Sequence, residues 1–363
     1  MSSPPISGRE QKILGIIETA RGKQARFRDE QINMSHGAGG KATQSLIEGL
    51  LVPAFGGETL GQLGDAALFE LDGVGIALTT DSYVVKPLRF PGGSIGELAV
   101  NGTVNDLAVA GAKPLALSVS LILEEGLPAS ALRAEVEAIA GAARRADVEI
   151  VAGDTKVVEK GHADGMYICT AGVGQRDRRA TLSAAAITPG DRILLSGSIG
   201  EHGTAIMLAR DEFELDASVE SDTLSLWPAV DAMLDAAGPH LRCMRDATRG
   251  GVASVLNELA RASSVSMLIR EDSIPVAPAV AGAAEILGID PMYVANEGKL
   301  VAFVAPDGMR AALGALRSVT GCEQAAEIGE VRSQPPGMVL VQTSFGGRRV
   351  MDQLVGDPLP RIC

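Results

Sequence analysis

The residues of this 363-residue chain best suited to chemistry are a set of aspartates, a glycine-rich segment and a terminal cysteine. The first two aspartates flank Leu71-Asp72-Gly73. Apolar runs at Ala66–Glu70 and Val74–Thr80 predict a hairpin there, because Asp-Gly accepts positive φ. A turn centred on Gly73 sets Asp65 opposite Asp81. Facing carboxylates repel unless a hard divalent cation lies between them, and Mg²⁺ is commonly held by a few carboxylates together with phosphates. The alternative is two solvated strand ends in a shifted register.

A predicted helix from Ser94 to Ala110 is apolar almost throughout, yet it carries Asn101, Asn105 and Asp106, with Asn101 and Asn105 on one face. Such a stripe must find partners when buried. A metal-nucleotide cluster would supply them, and so would a structural network to nearby backbone. Asp154 follows an apolar strand in Ala152-Gly153-Asp154-Thr155, a place where sheets commonly present ligand groups.

Gly37, Gly39 and Gly40 precede Lys41 and a helical stretch at Ala42–Leu51. Backbone amides at a helix start favour anions, and a lysine adds charge, although the spacing is not that of a P-loop. Gly197–Gly203 and Asp246–Gly251, the latter containing Thr248, are two more glycine-bearing strand-to-helix turns. Each alone is explained by turn geometry; together they point to polyphosphate binding. The histidines are scattered without ligand spacing. Cys169 and Cys243 read as inert core thiols. Cys363 differs because it ends the chain on a proline-bearing arm, from which a thiol can enter a site and leave again; an accidental exposed cysteine is the other reading.

These residues need a scaffold. Between Gly56 and Gly174 strands alternate with helices, including a strand at Leu115–Leu123, a helix at Pro128–Arg145 and a strand at Val148–Ala152. A second hairpin is expected between Val157-Val158 and Met166–Val173. Mixed strands with segregated helices argue α+β for this half. A boundary falls near Gln175–Arg179, after which strands at Arg192–Ser196, Val265–Ile269 and Leu300–Ala305 alternate with four helices. The expected units are an extension at 1–32, an N-terminal domain at 33–175, a C-terminal α/β domain at 180–350 and a mobile tail at 351–363.

Composition narrows the class. Hydrophobic residues make up 46% and charged residues 21%, the balance of a globular protein. A net charge of −13 leaves no positive field for nucleic acid. No apolar run approaches a membrane span, and four cysteines without a C-x-x-C pair fit a reduced cytoplasmic interior.

Seven segments together carry a resemblance: MSHGAGGK (34–41), TTDSYVVKPLRFPGGSIG (79–96), NGTVND (101–106), GDTK (153–156), DATRGG (246–251), NEGK (296–299) and the ending PRIC (360–363). The chain from about residue 33 onward resembles the HypE family of hydrogenase maturation factors. That resemblance implies an N-terminal α+β domain whose strands pair across a homodimer, a C-terminal α/β domain, and ATP with Mg²⁺ in the cleft beside them. It implies an ATP-dependent carbamoyl dehydratase: HypF loads a carbamoyl group onto the terminal cysteine, here Cys363. The thiocarboxamide becomes a thiocyanate, and the HypC–HypD scaffold accepts the cyanide. Asp65, Asp81, Asp106 and Asp154 then become the expected metal ligands. Gly37, Gly39, Gly40, Lys41, Asn101, Asn105, Asp246 and Thr248 become the nucleotide contacts, Glu297 the base, and Lys156 the group that steers or neutralises the carbonyl oxygen. An ATP-dependent small-molecule kinase or synthetase of the same architecture is the alternative.

Overall fold

The computed structural model describes residues 27–210 and 218–354. Cys363, and the greater part of the extension expected at 1–32, lie outside the described residues.

In the N-terminal domain, helix α1 (Lys41–Leu46) runs on through a π turn and a further helical turn to Phe55. Strands β1 (Ala67–Leu71) and β2 (Val74–Tyr83) form the expected hairpin, with Asp72 and Gly73 both at positive φ. The turn is centred between these two residues rather than on Gly73. Leu71 therefore pairs with Val74 and Ala67 with Leu78, so Asp65 and Asp81 are not register partners. A two-residue turn with both φ positive requires this register. The short strands β3 (Arg89–Phe90) and β4 (Gly93–Ser94) lead into helix α2 (Ile95–Val109), capped by the Ser94 side chain. Strand β5 (Ala112–Glu124), helix α3 (Ala129–Arg145), strand β6 (Glu149–Val158) and strand β7 (Met166–Arg176) complete the domain.

The sheet order is β1-β2-β7-β5-β6. The second expected hairpin does not form. Val157-Val158 ends a single ten-residue strand that runs parallel to β5 across the α3 crossover, while β7 inserts between β2 and β5. Helix α2 covers one face of this sheet and also touches the C-terminal domain. Burial on every side explains its nearly unbroken apolar sequence and its lack of an amphipathic stripe. Leu98, Val104 and Leu107 are fully buried there. Each such side chain contributes roughly 1.5–3 kcal/mol by leaving water.

The C-terminal domain contains β8 (Arg192–Leu195), α4 (Glu201–Leu208), α5 (Trp227–Ala237), β9 (Leu241–Asp246), α6 (Gly251–Ala262), β10 (Ser266–Arg270), α7 (Pro278–Leu287), β11 (Leu300–Val304), α8 (Pro306–Arg317), β12 (Ala326–Arg332), β13 (Met338–Gln342) and β14 (Arg348–Met351). Its seven strands are ordered β14-β13-β10-β12-β8-β11-β9. The β9 edge lies nearest α2, which brings the ends of β9 and of the loop before β11 to the domain boundary. Met351 and Gln353 are buried, so the chain stays fixed to this domain into the segment expected to be a free tail.

Candidate active site

A cleft at this boundary is lined by Asp81, Ser82 and Tyr83 from β2, Gly102 and Asp106 from α2, Asp246 from β9, Thr248 and Arg249 from the turn into α6, and Glu297. Gly102 is required by close approach: a Cβ there would lie 2.1 Å from the Tyr83 hydroxyl. That hydroxyl donates to Asp81 Oδ2 at 3.1 Å. Thr79, on the same face of β2, donates to Asp106 Oδ2 at 2.6 Å.

One carboxylate oxygen from each of Asp65, Asp106 and Asp246 lies within 4.8 Å of the other two. Burial pushes all three acids above the ordinary carboxylate range. Asp81 raises each of them further, and the Arg245 guanidinium pulls Asp65 back by ion pairing with it. Glu297 is also raised well above its ordinary value, first by burial and then by Asp222, Asp246 and Asp81, with Arg249 opposing. So many buried acids with few cations are stable as a group only when protonated or when a cation neutralises them. An all-oxygen donor set of this kind fits a hard divalent ion such as Mg²⁺.

The glycine-rich segment reaches this cleft by packing on the start of α6. Ser254 Oγ donates to the Gly39 carbonyl at 3.1 Å, and Arg249 Nη1 donates to the Gly37 carbonyl at 3.2 Å. Gly39 has φ +76°, and a Cβ on it would come 2.6 Å from the Arg249 carbonyl oxygen. Two segments distant in sequence, Gly37–Lys41 and Thr248–Gly251, thus form one surface. Lys41 follows Gly40 at the first turn of α1; its backbone amide donates to the Leu354 carbonyl at 3.2 Å and its ammonium pairs with Asp352 at 2.8 Å.

Other expected site residues go elsewhere. Asn105 gives both ends of its amide to the main chain: Nδ2 donates to the Leu224 and Glu297 carbonyls at 3.0 and 3.3 Å, and Oδ1 accepts from the Leu226 amide at 2.7 Å. Asn101 Nδ2 donates to Thr223 Oγ1 at 3.1 Å. Both side chains bond to the 221–226 loop, and Asn105 also to the Glu297 carbonyl, which is the structural-network alternative. Asp154 and Lys156 pair with each other at 2.7 Å on exposed β6, three strands from β2 and so about 14 Å away in the sheet. The Gly197–Gly203 turn is braced by Asn296, whose Oδ1 accepts from the Gly200 amide at 2.8 Å. The Cys243 thiol is pushed up to about 12 by burial, as an inert core cysteine should be, whereas Cys169 is only half-buried beside Ser82. Tyr83 and Arg249 lie inside the 79–96 and 246–251 segments without being singled out there, and the only cue to Arg245 is its adjacency to Asp246.

Comparison with known proteins places this architecture. Residues 63–175 match the AIR synthase related protein N-terminal domain, and residues 188–341 match its C-terminal domain. The chain is thus a two-domain AIR synthase-related protein. It is 50% identical over 337 residues to the carbamoyl dehydratase HypE of Bradyrhizobium diazoefficiens, covering 93% of this chain and 97% of that protein. A crystal structure of a HypE–HypF complex superposes with a TM-score of 0.81 at 44% identity, covering 85% of this chain and 99% of the other. A HypE structure in complex with ATP gives 0.77 at 42% identity, covering 92% and 100%. The chain belongs to the HypE family of carbamoyl dehydratases, enzymes of hydrogenase maturation. Among the described residues no helix is long and apolar enough to cross a membrane.

Proposed function

We propose that the chain uses ATP to dehydrate an S-carbamoyl group on its own Cys363, giving S-cyanocysteine for the cyanide ligands of [NiFe] hydrogenase. The observation that carries this reading is the seat of the tail: the Leu354 carbonyl is hydrogen-bonded to Lys41 of the glycine-rich segment, whose neighbour Arg249 lines the acidic cleft. Cys363 is the ninth residue after Leu354, and an extended chain of that length spans up to about 30 Å.

The amide oxygen is a poor leaving group and must first be phosphorylated. Oxygen attack on the γ-phosphorus forms an O–P bond and releases ADP; loss of the nitrogen's protons and cleavage of C–O then give the nitrile and phosphate. The net change on the protein is one water. Gly37, Gly39, Gly40 and Lys41, with Thr248, are positioned to receive the polyphosphate. Asp65, Asp106 and Asp246, with Asp81 beside them, would hold Mg²⁺, which neutralises phosphate charge when bound. Glu297, buried in the cleft with its carboxyl raised above the ordinary range by burial and by neighbouring acids, is the base that accepts the amide proton in this reading. Asp154 and Lys156 lie too far along the sheet to serve the cleft of their own chain, so their roles require a homodimer in which they face a second copy. The exposed apolar residues Phe69, Leu71, Leu78 and Leu115 of the same sheet support such a dimer. HypF is the carbamoyl donor and HypC–HypD the acceptor in this reading.

Intact-protein mass spectrometry after incubation with HypF, carbamoyl phosphate, ATP and Mg²⁺ tests it. A carbamoyl mass on the C-terminal peptide followed by loss of one water is expected. A variant lacking Cys363 that still consumes ATP at the parental rate would instead support a small-molecule kinase.

A further inference from the structure

The NEGK segment places an ammonium two residues from the proposed base. Both Glu297 and Lys299 are buried, and a buried ammonium seeks the nearest anion. The structure supplies a different one. Asp222, from the loop before α5, faces Lys299 Nζ through Oδ2 at 3.3 Å, with side-chain exposures of 4% and 6%. Its Oδ1 accepts the Glu297 backbone amide at 3.0 Å. The two segments lie flush, since a Cβ on Gly298 would fall 2.0 Å from the Asp222 carbonyl oxygen. The Lys299 stem is pressed against Gly197, where a Cβ would stand 3.1 Å from Cε. Asn105 fastens the same pair of segments through Leu224, Leu226 and Glu297. The Glu297 side chain is left facing Asp81, Asp246 and Arg249 in the cleft.

We propose that Asp222 is a positioning residue for Glu297: it occupies Lys299 and caps the Glu297 amide, so that the Glu297 carboxylate stays in the cleft instead of turning onto the neighbouring ammonium. The proposal rests on Glu297 being the base of the dehydration.

Asp222→Asn keeps the acceptor for the Glu297 amide and removes only the charge. The full-length chain, carbamoylated by HypF, is followed through a single turnover by loss of water in the intact mass. Misplacing a reacting group by about an ångström costs on the order of 100-fold, so Asp222→Asn is expected to dehydrate about 100-fold more slowly while its KM for ATP stays within about twofold. Adding Lys299→Met removes the competing ammonium, and the paired variant is expected to return to within about fivefold of the parent, a non-additivity that a purely structural role would not produce. A parental rate in Asp222→Asn, or a paired variant as slow as Asp222→Asn, overturns the proposal. Should Asp222→Asn not fold, the paired variant is compared with the parent directly: within about fivefold supports the proposal, and a loss of about 100-fold overturns it. Glu297→Gln separates the two readings, because a parental rate there removes the base assignment, whereas a slow Glu297→Gln beside a fast Asp222→Asn removes only the role of Asp222.

Discussion

Arg245 and Asp65, 180 residues apart, form an ion pair that joins the C-terminal sheet to the segment entering β1, each side chain only 17% exposed. Arg245 also donates to the Leu63 carbonyl at 2.6 Å. One of three clustered carboxylates is therefore neutralised by the protein itself, and Asp106 and Asp246 have no comparable partner among the described salt bridges. Arg245→Gln is expected to destabilise the metal-free chain by about 3–5 kcal/mol, the cost of stranding a buried charge. Saturating Mg²⁺ should remove most of that difference. Denaturant titrations with and without Mg²⁺ check it; an equal loss in both would mean that no cation replaces the guanidinium.

The raised acids set the pH dependence of stability. Asp106, Asp246 and Glu297 are held above their ordinary values first by burial and then by neighbouring acids, Asp81 among them in each case. Between the unfolded carboxylate range, about pH 4, and their raised folded values, the folded chain binds more protons than the unfolded one. Stability therefore falls as pH rises through that window. Asp106→Asn should flatten the fall and raise metal-free stability at neutral pH by about 1 kcal/mol or more, while Mg²⁺-dependent ATP turnover is lost. Melting curves of the metal-free protein from pH 5 to pH 8 provide the measurement, and a rise in stability with pH would count against the acidic cluster as drawn.

The Lys41–Asp352 pair is 44% and 41% exposed at its two side chains. Such a pair is worth about 0–1 kcal/mol, weak enough to yield to a triphosphate. Asp352→Asn is expected to tighten ATP binding by about two- to fivefold while leaving the melting temperature within about 2 °C. Calorimetric titration distinguishes this from the opposite case, in which weaker binding would show that Asp352 orients Lys41 for the nucleotide.

Asp81, Asp106 and Asp246 are acids in or at the ends of strands or inside an apolar helix, where their desolvation needs a reason, and they meet in one cleft with Glu297, which only the NEGK resemblance singled out. The same cue at Asp154 led to a different place. It followed an apolar run that continues as an exposed edge strand, and edge position depends on sheet order, which periodicity does not encode. The expected Asp65–Asp81 register is off by one residue because it centres the turn on Gly73, whereas a two-residue Asp-Gly turn is centred between Asp72 and Gly73. Yet Asp65 still joins the cluster, through Arg245 on another domain rather than through strand pairing.

Asn101 and Asn105 show why the polar stripe of α2 was ambiguous. A buried amide needs partners, and a nucleotide and a loop backbone satisfy that need equally well on paper. The 221–226 loop, remote in sequence, fills the role for Asn105 with two main-chain hydrogen bonds, and the Glu297 carbonyl adds a third. Asn105→Ala would leave the Leu224 and Glu297 carbonyls and the Leu226 amide without this partner, at a cost of about 1–3 kcal/mol for each group that finds no replacement. A loss of about 2–4 kcal/mol overall is expected in urea unfolding, together with slower dehydration because the Glu297 segment loosens. ATP affinity, measured well below the melting temperature, should stay within about twofold, since none of the three bonds points at the glycine-rich surface. A variant that keeps its stability and loses ATP binding would return Asn105 to the nucleotide.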